Sequence, residues 1–180
     1  MPDLDLIAPS ALPQSLRELI EQAPMPGLGN GPQCPQTFAS IERLQTDAGN
    51  SLRIAGLWLL AGELDRSHEI SQSQPSAEGS LWHAIMHRRE GDFSNSLYWY
   101  RRAGPHALYD ALAEKIQAEQ ATLQASGLPD VHSASPEELP ARLVELCQQA
   151  SRHHVPWQEE LERVLWWEWQ LLLLASETPD

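Results

Sequence analysis

The dipeptide Gly91-Asp92 interrupts the run SLWHAIMHRREGDFSNSLYWYRRAGPH, residues 80–106, and divides it into two helical segments. Glycine after a helical run is a stop signal, and aspartate is a good N-cap for a new helix. With Ser80 as the first N-cap and Gly104-Pro105 as the last stop, the pattern predicts helices over 81–90 and 93–103. A turn this short forces the two to pack as a helix hairpin. The hairpin is the element around which the rest of the chain must be arranged.

The remaining segments repeat the helical signal. Apolar residues at helical spacing predict helices over 15–23, 37–47 and 63–71, with Thr37 capping the second. A long helix is expected over 106–126, and another over 136–152. Two segments are apolar nearly all round: LRIAGLWLLA, capped by Asn50, and the terminal WQEELERVLWWEWQLLLLA. Helices of that kind belong in a core. The terminal one holds four of the seven tryptophans, so it is expected either in the core or at a homodimer face. No segment alternates in the manner of a strand. The expected fold is all-α: one domain over 1–180, a bundle of seven or eight helices. Residues 1–13 form an extended arm, 24–36 a Pro/Gly-rich loop, and 72–78 a second loop.

Composition limits the partners. Hydrophobic residues make up 42% of the 180 and charged residues 21%, which are globular values. Acids outnumber Lys and Arg by 25 to 12, a formal net charge of -13. A field of that sign opposes nucleic acid and anionic membrane. Two cysteines, Cys34 and Cys147, make no disulfide framework and no metal knuckle. The first residues, MPDLDLIAPS, lack the basic and apolar regions of a secretory leader. No apolar run is long enough to span a bilayer. Cytoplasmic localisation is the expectation.

The chemistry is concentrated in the hairpin. His83 and His87 are four apart and share a helix face. That spacing suits two ligands of one metal ion, or a catalytic acid and base near neutral pH. The intervening Ala-Ile-Met lacks the glutamate of a zincin. A third ligand must come from elsewhere. Asp65 and His68, three apart on one preceding face, are the candidates, with His106, Glu90 and Asp92 also in reach. Four arginines stand in 80–106 against two acids, a cationic island in an acidic chain. Arg88 and Arg102 are the candidates for gripping a carboxylate or phosphate. Asn95, Trp99 and Arg102 form one stripe of the second helix, able to line a pocket. The other stripe, Phe93, Leu97 and Tyr100, faces a core.

Two resemblances extend this reading. Gly91-Asp92-Phe93, Ser96, Tyr100 and Ala103 fall where a tetratricopeptide unit places its turn and second helix. In the first helix Ala84 and His87 replace the unit's small residue and aromatic. The likeness covers about one repeat, and an array needs roughly three. The second resemblance takes in LDRSHEISQ (64–72), the run 79–106, and EWQLLL (168–173). These are similar to a largely uncharacterised family of bacterial and fungal proteins with a run of the form W-H-x-I-x-H-R-R-E-x-D-x-x-N-x-x-Y-W. The resemblance implies that Asp65, His68, His83, His87, Arg88, Asn95, Trp99 and Arg102 belong to one assembly. It implies no reaction.

Three readings of function stand. A divalent metal held by His83, His87 and Asp65 or His68 would act on a small anionic molecule. Alternatively, a metal-free His/Arg pocket would bind the same class of ligand. The third is a tetratricopeptide-like interaction module with an exposed helix and an open groove. The first two call for an enclosed polar site.

Overall fold

The computed structural model of the chain describes residues 5–23, 27–29, 33–49 and 51–176. Ten α-helices and one short 3-10 turn occur among them. In chain order the helices are α1 (Gln14–Gln22), α2 (Pro35–Ala48), α3 (Leu52–Leu60), α4 (Leu64–Gln72) and α5 (Ala77–Glu90). They are followed by α6 (Phe93–Ala103), α7 (Ala107–Ala118), α8 (Gln120–Ala125), α9 (Leu139–Arg152) and α10 (Gln158–Ala175). No strand occurs among the described residues. No described helix is long and apolar enough to cross a membrane.

Helix α5 is the axis of the bundle. It packs on α3, α4, α6 and α10, and every residue from Gly79 to Arg89 is buried. A helix enclosed on all sides has no polar face. Its histidines and arginines must therefore find partners inside the protein. Helix α6 folds back along it through the predicted turn. Gly91 sits in the left-handed region at φ 82°, where glycine carries no steric penalty. The Asp92 carboxylate accepts from Asn95 N at 3.1 Å, closing the N-terminus of α6.

The apolar helices meet where expected. Trp58 and Trp82 are fully enclosed, and Trp166, Trp167 and Trp169 of α10 are buried too. The tryptophans that a dimer face would expose are thus in the core. Gly56 lets α3 approach the Trp82 ring. A Cβ at position 56 would stand 2.6 Å from that ring, so no other residue fits there without moving the indole. Trp169 Nε1 donates to Gly56 O at 3.0 Å, and Trp82 Nε1 to Ser176 Oγ at 2.8 Å. Buried indoles need such acceptors.

Several expected boundaries are corrected. Ser76 rather than Ser80 caps α5, accepting from Gly79 N at 3.0 Å. The helix therefore starts inside the segment expected as a loop over 72–78. Ser80 is one turn in and donates back to Ser76 O. Pro35 opens α2 from its first turn, which proline tolerates, and Thr37 Oγ1 donates to Cys34 O at 2.7 Å instead of capping. The long helix over 106–126 is broken at Glu119 into α7 and α8. Helix α9 begins three residues later than expected, at Leu139. The arm contains one 3-10 turn, Pro9–Ala11. Asn50 and parts of the 1–13 arm and the 24–36 loop lie outside the described residues.

Candidate functional site

Helices α4 and α5 bring three histidines together. His83 and His87, one turn apart on α5, have ring centroids 4.7 Å apart. His68 of α4 crosses toward them, its ring 4.5 Å from that of His83 and 5.5 Å from that of His87. Each offers a ring nitrogen, and the three nitrogens lie within 4.8 Å of one another. The His68 and His83 Nε2 atoms are 3.0 Å apart. A tetrahedral ion with nitrogen ligands at 2.0–2.1 Å would hold each pair about 3.3 Å apart. The His68–His83 pair stands near that spacing, and the set of three lies within 4.8 Å.

The surroundings of each ring differ. His83 is only 3% exposed. One ring nitrogen meets His68, and Nδ1 has no hydrogen-bond partner. Trp99 of α6 stacks on its ring at 3.9 Å and 17°. The Arg102 guanidinium lies over the Trp99 ring at 4.8 Å, a cation–π contact that leaves its donors outward. Arg102 is exposed and has no ion-pair partner among the described residues. His87 Nδ1 is 3.0 Å from Glu90 Oε2. That carboxylate favours the tautomer with the proton on Nδ1, so Nε2 carries the lone pair. Asn95 Nδ2 stands 3.0 Å from His87 Nε2.

Burial, then the neighbouring His68 and His87, then Arg102, push the His83 pKa down to about 3. Its folded pKa lies below the unfolded value of 6.5. Between these values the unfolded chain binds the extra proton. Stability therefore rises with pH across that window, and is lost as pH falls from 6.5 toward 3. Chelator-treated protein is expected to show this loss in thermal scans between pH 7 and pH 4. His83→Gln is expected to flatten the slope.

Not every sequence candidate joins the cluster. Asp65 is exposed on α4 and contributes no ligand atom to the group. At about 100° per residue it stands about 60° further round the helix than His68, which places it on the solvent side. Asp92 is engaged as the α6 cap. His106 Nδ1 accepts from Leu108 N, and its Nε2 faces Glu78 at 3.3 Å. Glu90 supports His87.

Arg88, expected to bind a ligand, is turned into the core instead. It is 3% exposed, and its guanidinium bridges Glu168 of α10 and the Tyr100 hydroxyl. Tyr100 and Tyr109 donate to the same Glu168 oxygen at 3.0 and 2.9 Å. Burial, then the Glu168 charge, hold the Tyr109 phenol well above its usual range, so it remains a donor. The sequence signal for this network is a lone glutamate within WWEWQLLLL. A charge that cannot reach water requires a buried partner. Arg89 also serves the fold, donating to Leu59 O and to Gly29 O. Burial and the neighbouring Arg88 lower its pKa to about 10, which leaves it charged at neutral pH.

Compared with protein-family models, with curated proteins and with solved structures, the chain matches none.

Proposed function

We propose that His68, His83 and His87 hold one divalent transition-metal ion, and that Asn95 and Arg102 present a small anionic ligand to its open side. The observation that carries this is the convergence of three imidazoles from two helices, with Glu90 behind one of them. Imidazole suits Zn, Fe, Cu and Ni. Three protein ligands with a vacant position are the pattern of catalytic rather than structural sites. Such an ion supplies Lewis acidity and lowers the pKa of bound water. The chain's own residues do the rest. Glu90 orients His87, Trp99 covers His83, and Arg102 holds an outward charge in an otherwise acidic molecule.

The metal-free His/Arg pocket is the second reading. It keeps the anion on Arg102 and leaves the imidazoles hydrogen-bonded to one another. An interaction module, with Asn95, Trp99 and Arg102 lining a groove, has less support, because the likeness covers about one repeat and an array needs roughly three. Calorimetric titration separates the readings. Zinc-loaded protein is expected to bind acetate or inorganic phosphate, and Arg102→Ala to weaken that binding about ten- to a hundred-fold, the range for hydrogen bonds to a charged group. Equal binding by metal-stripped protein would favour the second reading. No binding by either form would refute the anion site.

A further inference from the structure

A cavity lies on the opposite side of α6 from the histidines. It is a cleft of about 830 Å³ between the C-terminal end of α6, the start of α7 and the approach to α9. That volume is in the range of pockets for drug-sized ligands. Gly104 and Pro105 end α6, and Ser135 and Pro136 precede α9, so chain breaks on both sides leave the space between them unfilled.

The walls are apolar and the rim carries both signs of charge. Tyr100 and Tyr109 line the floor. Their hydroxyls are turned into the core toward Glu168, so the floor offers ring carbon. Pro136 adds a further apolar wall. Arg101, Asp110 and Glu137 line the same cleft, and all three are exposed. None has an ion-pair partner among the described residues, so the cation and the two carboxylates do not neutralise each other. A ligand carrying both charges would find a partner for each on this rim.

The imidazole and the hydroxyl of the cleft are both engaged. His106 has both nitrogens engaged, and Ser135 Oγ donates to Glu138. These features favour binding over chemistry. We infer that the cleft is a binding site for a zwitterion with an apolar body, the chemistry of a short peptide with large apolar side chains. Arg101 takes the carboxylate, Asp110 and Glu137 the ammonium, and the tyrosine and proline walls the side chains. The inference is independent of the proposed metal centre, whose histidines on α4 and α5 meet the other stripe of α6.

The test uses the full chain and phenylalanyl-phenylalanine as the probe, with its N-acetyl and C-terminal amide forms as controls. Saturable one-to-one binding is expected by calorimetry, weakened at least about ten-fold by loss of either terminal charge. Arg101→Gln is expected to weaken the free dipeptide by a similar factor and to leave the C-terminal amide unaffected. Asp110→Asn combined with Glu137→Gln is expected to do the same for the ammonium, leaving the N-acetyl form unaffected. All three residues are exposed, so the variants keep the fold, which circular dichroism checks. Absence of saturable binding by the wild-type chain would overturn the proposal. So would an Arg101→Gln effect equal for the acid and the amide, since the carboxylate would then not be what Arg101 recognises.

Discussion

Arg88→Met is expected to destabilise the protein by about 3–5 kcal/mol, the usual cost of leaving one partner of a buried ion pair alone. Glu168 is fully buried. Without the guanidinium it keeps only the Tyr100 and Tyr109 hydroxyls. Two neutral donors do not offset the desolvation of a carboxylate, so the variant must protonate Glu168 or admit water. Urea unfolding would read the change as a lower midpoint. For a chain of this length each kcal/mol lowers the Tm by roughly 2–4 °C, so a fall of roughly 10 °C is expected. Arg88→Met/Glu168→Leu is expected to recover much of the loss, because apolar replacement of a whole buried pair is often neutral or stabilising. If the single variant were as stable as wild type, the ion pair would not be part of the core's stability.

Zinc is expected to stabilise the wild-type protein and not the histidine variants. An ion that binds only the folded state at a hundred times its Kd adds about 2.7 kcal/mol, or roughly 5–10 °C in Tm. His68→Ala, His83→Ala and His87→Ala are each expected to lose most of that shift, since two imidazoles hold an ion far less well than three. Asp65→Ala is expected to keep it. The comparison of Asp65 with His68 is informative because the two share a helix and their spacing alone does not separate them. Equal loss in Asp65→Ala would place the ion elsewhere on α4.

The hairpin is legible in the sequence because its punctuation is local. Gly91 and Asp92 act within one turn of themselves, and the structure keeps both roles. The start of α5 is not, because Ser76 and Ser80 are both good caps. The choice between them depends on the extended backbone at Ser76, just after Pro75. His83 and His87 come from spacing within one helix. His68 needs the crossing of α4 over α5, which periodicity does not contain. The buried stripe of α4 is Leu64, Ser67, Ile70 and Ser71. His68 borders that stripe and Asp65 stands beyond it, and this small rotation decides which of them reaches α5. The fate of Arg88 is hidden from the sequence because its partner, Glu168, is 80 residues away. Arg102 has a local neighbour in Trp99, so its place is visible from α6 alone.

The measurement that bears most directly on the central claim is the metal content of protein purified without a histidine tag, beside a His83→Ala/His87→Ala variant. The account predicts close to one equivalent of a transition metal in the first and background in the second. Background in both, persisting after incubation with zinc, manganese or ferrous iron, would contradict it and leave the three imidazoles as a hydrogen-bonded part of the core.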